Sequence, residues 1–393
     1  MESIKDKVAV IGMGCTQFGE LWDKGPHDLI VDACSEALED AGIEATDIQH
    51  AWFASLVSGA SGARLSSAFK LPYIPITRVE NFCSGGSHAF GNACYAVAAG
   101  VCDIALACGV EKLKDRPGGF AYPNPEPFDS SKIISELLPA NMFAHIAVRY
   151  FEEKGWSYEE GRRILAKIAV KNHHNGIFNP KAHLHREITE DDVLNAPMVV
   201  YPFGLYDCCG VSDGAAAAII CRADMAKSFR DDYVLVKAVS FASGSGESRF
   251  CDDYDYLDVP ETTIAAKRAY EQAGIENPRK EVSLAEVHDC FTIHELILYE
   301  QLGFSPRLRA AEDVEAGAFT LNGELPVNPD GGLKCFGHPL SATGLRMIYE
   351  VYKQLQGKAG PRQIKNASIG LTQNVGGMVG FFNAAVLIFG MRS

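Results

Sequence analysis

The chain has 393 residues, 47% of them apolar and 22% charged, enough for two or three domains with a large buried core. Its 36 Lys and Arg against 50 Asp and Glu leave a net charge of -14, the opposite of the basic footprint that phosphate backbones select, which excludes nucleic acid as an expected partner. Apolar runs such as Ala384 to Phe389 fall far short of the roughly 20 residues a membrane-spanning helix needs, so no membrane span is expected.

The start, MESIKDKVAVIGMG, has neither a long apolar region nor a small-residue cleavage site, so no signal peptide is expected and the address reads as cytoplasmic. Strand-like and helix-like runs alternate over the first 110 residues. They begin with Val8 to Ile11 and a helix over Asp28 to Ala41 that stops at Gly42, the pattern of a layered α/β core. A strand near Trp52 to Leu56 precedes ITRVENFCSGGSHAFGNACYAVAAG and DIALACGVE, which read as a turn, a small-residue helix and a buried strand. The Ala and Gly content of that helix predicts a path through the protein centre, where neighbours pack close.

From Asp115 to Asn195 the composition shifts to Pro, aromatic, His and charged residues, including RPGGFAYPNPEPF and NHHNGIFNPKAHLHRE. This reads as a loop-rich excursion with a few helices, such as Tyr158 to Asn172. Alternation resumes with VSDGAAAAIICR and again from Val234. The segment ALEDAGI (Ala37 to Ile43) is echoed by AYEQAGI (Ala269 to Ile275), and Ala33 meets Ala265 at the same offset. Each copy has a Pro-containing helix start and a following apolar strand, as a duplicated unit would. The expected organisation is an N-terminal half over 1–114, a loop insertion over 115–195, the end of the N-terminal half over 196–232 and a C-terminal half over 233–393.

The twelve cysteines show neither a paired C-x-x-C zinc pattern nor a regular disulfide framework, so most should be reduced thiols. Cys34, Cys94, Cys102, Cys108 and Cys221 lie among Ala, Val and Ile, where a thiol packs as a small apolar group. Cys83 differs, because it stands at the apparent start of the small-residue helix. The unpaired amides and dipole there favour a thiolate and lower its pKa, and Gly85 and Gly86 let backbone N–H groups approach an oxyanion. A buried cysteine before a glycine turn is the other reading of this segment.

In EVHDCFTIHELILYEQLG, Val287 to Phe291 reads as a strand end and Thr292 with Glu295 as a capping box. His288 and Cys290, two apart on an extended segment, would project to one face at the sheet edge where α/β proteins bind ligands. A hydrogen-bonded structural histidine with a packing cysteine fits equally. His338, between Gly337 and Pro339 before a helix starting near Ser341, has its charged form disfavoured by the helix N-terminus and reads as a neutral base; histidines in such turns are also common structural features. Gly376 and Gly377 read as a tight turn between two apolar runs, either a plain hairpin or a source of N–H donors for a second oxyanion site. His173, His174, His183 and His185 occupy an irregular segment without a metal-site spacing, so no metal is expected.

Taken together, a Cys at one helix start, a His at another, HDCF (His288 to Phe291), GHPLSATG (Gly337 to Gly344) and the glycine pair closely resemble the thiolase family. The resemblance covers essentially the whole chain and is strongest to the branch of sterol carrier protein X thiolases and archaeal acetoacetyl-CoA thiolases. It implies the thiolase-like duplicated fold of α-β-α-β-α layers. It implies that Cys83 is the acyl-accepting nucleophile, His338 the base that draws off its proton, and His288 a binder of the thioester or enolate oxygen. Most thiolases carry a second catalytic Cys in a C-x-G motif near the C-terminus; here Thr372 to Gly377 has none, and Cys290 looks like its replacement as acid/base. The backbone at Cys83 and Gly376 looks like the second oxyanion hole.

The implied activity is thiolytic cleavage of a 3-oxoacyl-CoA by CoA, or the reverse Claisen condensation, with CoA as co-substrate and no tightly bound cofactor. Ketosynthase-like and aldolase-like relatives of the same fold are the enzyme alternatives, and an idle scaffold subunit is the non-enzymatic one. Cys290 argues against the ketosynthase, and the presence of both reactive thiols argues against the aldolase. Branch members often work beside a small OB-fold, zinc-ribbon protein that helps bind CoA; Arg162, Arg163, Lys167 and Lys171 read here as a solvated helix face, so a separate partner is expected to complete the CoA site. The family's habit implies a homodimer or dimer of dimers, with Ile104 to Cys108 near the interface. Phe143, Phe178 and Phe203 are the candidate contacts to an acyl group whose identity stays open.

Overall fold

The structure is a computed structural model that describes residues 3–71, 73–115, 139–251 and 253–392; the RPGGFAYPNPEPF stretch lies outside them. In chain order the elements that build the site are β1 (Val8–Cys15), α1 (Pro26–Ala41), β2 (His50–Ala54), β3 (Ile76–Val79), α2 (Gly85–Ala98), β4 (Ile104–Glu111), α3 (Pro139–Lys154) and α4 (Tyr158–Ile177). They continue with β5 (Gly214–Arg222), β6 (Val234–Ser243), α5 (Pro260–Ala273), β7 (Leu284–Glu286), α6 (Thr292–Gln301), α7 (Leu340–Leu355), β8 (Ile369–Met378) and β9 (Phe381–Gly390).

The nine strands form one sheet in the order β3-β2-β4-β5-β1-β6-β9-β8-β7. Antiparallel pairing of β1 with β6 makes a seam. Outward from it, each half repeats two antiparallel pairings and then a parallel one: β1 to β5, β5 to β4 and β4 to β2 on one side, β6 to β9, β9 to β8 and β8 to β7 on the other. The echoed segments are the ends of equivalent helices. Both α1 and α5 begin with Pro, and both end on a left-handed glycine, Gly42 at φ 69° and Gly274 at φ 76°, the conformation that favours Gly at a helix end.

Most of the strands are buried and largely apolar because helices cover both faces of the sheet. Along β1, Ala9 and Ile11 pack with Leu29, Ile30 and Ala33 of α1, whereas Val8 and Val10 share a cluster with Phe90 of α2 and Leu345 and Ile348 of α7. Helices α2 and α7 touch each other and strands of both halves, while α1 and α5 lie against the outer faces. This gives the duplicated α-β-α-β-α layering of the thiolase-like fold. The halves differ most in one connection: β8 turns directly into β9, whereas residues 112–213 separate β4 from β5.

Strand β4, which holds Ile104 to Cys108, lies between β2 and β5. One expectation changes. The helix expected over Tyr158 to Asn172 runs on to Ile177, and its Arg162 is no solvated residue: it is buried, ion-paired to Asp207 at 2.7 Å and bonded to the Pro202 and Val193 carbonyls.

Candidate active site

Cys83 and His338 each stand two residues before the first residue of a central helix, α2 and α7 respectively, so the duplication places them in equivalent positions. The helices approach too closely for side chains at the crossing. A Cβ on Gly86 would lie 2.4 Å from the Ser341 carbonyl oxygen, and one on Gly344 would lie 2.1 Å from Ser87 Oγ. Glycine permits this contact, and the contact brings the two helix starts together. Just before the nucleophile position Phe82 takes φ 52°, a strained conformation of the kind that gathers at functional sites.

Strand β7 ends at Glu286, and Val287 to Phe291 continues as a loop rather than a strand end. Asp289 pins that loop by accepting hydrogen bonds from the Leu333 and Lys334 amides at 2.6 and 3.2 Å and from the Asn172 side chain at 2.8 Å. Thr292 and Glu295 form no capping box; the N-cap of α6 is Phe291. The Thr292 hydroxyl donates to Asp207, and Glu295 pairs with Lys171 and accepts from Asn172 and Asn328. Buried polar groups here are satisfied by distant partners instead of by their own helix end.

Gly376 and Gly377 lie within β8, opposite Asn383 and Phe382 of β9; the turn falls at Val379 and Gly380. A Cβ on Gly376 would lie 2.8 Å from the Cys83 nitrogen and 2.0 Å from the Asn81 carbonyl oxygen. The glycine therefore lets the β8 backbone reach the nucleophile loop.

A sulfur or ring nitrogen from each of Cys83, His288 and His338 lies within 4.8 Å of the others, and the same holds for His288, Cys290 and His294. Among the described residues no such group includes His173, His174, His183 or His185; these bond instead to the Arg186 carbonyl, Glu187, Ser212 and the Asn179 carbonyl. The Cys83 thiol departs from expectation, since burial pushes it up to about 12 and Glu111 adds to the rise, against its own backbone amide. The helix start thus does not by itself hold a thiolate, and a base is required. Burial likewise raises the Cys290 thiol, lowers His288, and brings His338 down to about 3, with the Arg346 guanidinium second.

The hydrogen-bond network gives the two neutral imidazoles opposite tautomers. The Thr343 hydroxyl donates to the Pro339 carbonyl at 3.2 Å, so it accepts from His338 Nδ1 at 2.7 Å and leaves Nε2 as the unprotonated, basic nitrogen. Ser87 donates to Asn374 Oδ1 at 3.2 Å, and Asn374 Nδ2 donates to His288 Nδ1 at 2.7 Å, so His288 carries its proton on Nε2 as a donor. The rings meet edge to face with centroids 5.1 Å apart.

These groups line a cavity of about 310 Å³ whose walls are otherwise apolar, with Phe143, Phe291, Val375 and Phe382 prominent. Of the three expected acyl contacts, only Phe143 is among its lining residues. Phe178 stacks edge-on against His174, and Phe203 is core packing beside Phe291. Asn374, Thr343, His294 and the wall residue Cys209 were not singled out by sequence. His294 alone left a signal, standing four residues beyond Cys290 in the same segment that carries His288.

A thiol and an imidazole at equivalent starts of the two central helices of a duplicated α/β fold define a thiolase-like enzyme. The chain belongs to the thiolase family of acyltransferases: residues 8–224 match the family model for the thiolase N-terminal domain and residues 242–391 that for the thiolase C-terminal domain-like region. It is 39% identical over 391 residues to an acetyl-CoA acetyltransferase of Methanothermobacter thermautotrophicus, covering 97% of this chain and 99% of that one. It is 30% identical over 390 residues to sterol carrier protein 2 of Oryctolagus cuniculus, covering 94% of this chain and 70% of the relative. Among solved structures, the Ltp2-ChsH2(DUF35) aldolase shares the fold with a TM-score of 0.82 at 24% identity, covering 99% of this chain and 98% of that one. Among the described residues no helix is long and apolar enough to cross a membrane.

Proposed function

We propose that this chain catalyses thiolytic cleavage of a 3-oxoacyl-CoA by CoA, and the reverse Claisen condensation, through an acyl-Cys83 intermediate. The observation that carries the reading is the convergence of Cys83, His338 and His288 within 4.8 Å beside Cys290 in one apolar cavity. His338 Nε2 takes the Cys83 proton, and the thiolate attacks the 3-keto carbon. The Cα–Cβ bond breaks and its electron pair passes into the thioester as an enolate. His288 Nε2–H donates to the oxygen where that charge develops, and the Cys290 thiol protonates Cα. The incoming CoA thiol passes its proton to the Cys290 thiolate, its sulfur takes the acyl group, and the released Cys83 sulfur recovers its proton from His338. The approach of Gly376 to the Cys83 backbone supports a main-chain oxyanion site for the tetrahedral intermediate.

The aldolase among the structural neighbours shares the fold at 24% identity, whereas Cys83 and Cys290 among the cavity-lining cysteines support acyl transfer. That neighbour's name includes a DUF35 protein, which supports the reading that a small partner completes the CoA site here. CoA titration with and without such a partner checks this, full affinity of the isolated chain being the contrary result. A homodimer is proposed from the family.

The deciding experiment is mass spectrometry after incubation with a 3-oxoacyl-CoA or acyl-CoA. An acyl adduct is expected on Cys83 and is expected to vanish in Cys83→Ser; normal turnover by that variant would overturn the assignment. Cys290→Ala should still acylate Cys83 but lose proton exchange at Cα.

A further inference from the structure

We infer that His294 is a positioning residue for the acid/base step, taking the thiol proton of Cys290 while Cys290 removes a proton from Cα of the bound acyl-CoA. The inference rests on the role proposed above for Cys290. His294 is fully buried on the first turn of α6, where an unpaired imidazole is costly. Its Nδ1 lies 3.8 Å from Cys290 Sγ, within hydrogen-bond reach for sulfur. Its Nε2 is buried without a close hydrogen-bond partner, although the backbone of His288 faces the ring and favours its protonated form. The ring lies between Phe143 and the imidazole of His288, with centroids 4.7 and 5.4 Å away. His294 is therefore at the back of the reaction centre, behind Cys290 and in contact with the proposed enolate donor.

The pair is neutral: burial raises the Cys290 thiol and brings His294 down to about 3, while the backbone of His288 acts the other way and favours the imidazolium. The thiolate that CoA release leaves on Cys290 needs no helper, but burial raises that thiol; once it has regained its proton it is a poor base, and a second acceptor behind it resolves the difficulty. As the Cα–H bond breaks and its proton moves to Sγ, the S–H bond breaks and its proton moves to Nδ1. The enolate negative charge and the imidazolium positive charge arise together. The reverse passage returns both protons.

The experiment uses the full chain with acetyl-CoA in deuterated water, reading acetyl adduct on Cys83 and deuterium uptake at Cα by mass spectrometry. His294→Asn keeps a polar group near Nδ1 but no base. Its Cys83 is expected to acetylate as in the unaltered chain, while exchange slows by about 100-fold, the usual scale of a general acid–base contribution. In His294→Ala, free imidazole is expected to restore part of the lost exchange by occupying the vacated space. Unchanged exchange in His294→Asn, no rescue of His294→Ala, or loss of acetylation together with exchange each overturns the relay. If Cys290→Ala itself exchanges at the normal rate, the base role of Cys290 falls first; if only His294→Asn exchanges normally, the relay alone falls.

Discussion

The loops that follow β2 and β7 occupy equivalent places in the two halves, yet one is a brace and the other carries the acid/base groups. After β2, the amides of Leu56 and Val57 and the Ser58 hydroxyl all donate to the buried carboxylate of Glu111, which also accepts from Ser341 of α7. After β7, His288 and Cys290 face the cavity while Asp289 between them ties the loop to the backbone at Leu333 and Lys334. Both loops anchor on a buried carboxylate; the second interleaves its anchor with reactive side chains. The central helices divide in a similar way, α2 presenting a thiol and α7 an imidazole. Duplication supplied two equivalent helix starts at one point, and divergence gave them complementary chemistry.

Substitutions should separate these roles. The largest effect is expected from His338→Asn, which leaves the Cys83 thiol near 12 with no base: acylation of Cys83 should slow by about 10²- to 10⁴-fold, measured by rapid-quench mass spectrometry. Next is Asn374→Ala, which removes the donor that keeps the His288 proton on Nε2. Deuterium exchange at Cα should fall by about 10²-fold, on the scale of losing one oxyanion donor, with Cys83 acylation little changed. On the bracing side, Ser58→Ala removes the acceptor of the Lys112 amide and a donor to Glu111. A loss of about 1 to 3 kcal/mol in stability is expected, read from urea unfolding, with both half-reactions unaltered.

A further effect concerns pH. His294 and His338 are held neutral down to about 3 in the folded chain, whereas in the unfolded chain they take up protons near 6.5. Stability they contribute above about pH 6.5 is therefore lost as pH falls toward 3, at up to about 1.4 kcal/mol per pH unit for each group. Urea midpoints at pH 7 and 5 check the slope, and His294→Asn should reduce it by one group's share.

Much was legible in the sequence because it is written locally. Continuous apolar runs gave the strands, Pro starts and terminal glycines gave the echoed helices, and Cys83, His288, Cys290 and His338 stand out by residue type beside turns. Three local readings failed where a distant partner won. Thr292 and Glu295 looked like a cap but bond to Asp207 and Asn172; Gly376 looked like a turn but is strand, needed for close approach to Cys83; Arg162 looked solvated but is paired inside.

By itself the sequence determined the α/β alternation, the duplication and which side chains were available for chemistry, since spacing and burial periodicity are properties of short segments. Only the tertiary structure decided how those side chains are protonated and aimed. Asn374 lies 86 residues from His288, and Arg346 depresses His338 from within a buried pairing to Glu286 and Asp330. Tautomer and charge follow from hydrogen-bond partners and local dielectric, and these exist only once the chain has folded.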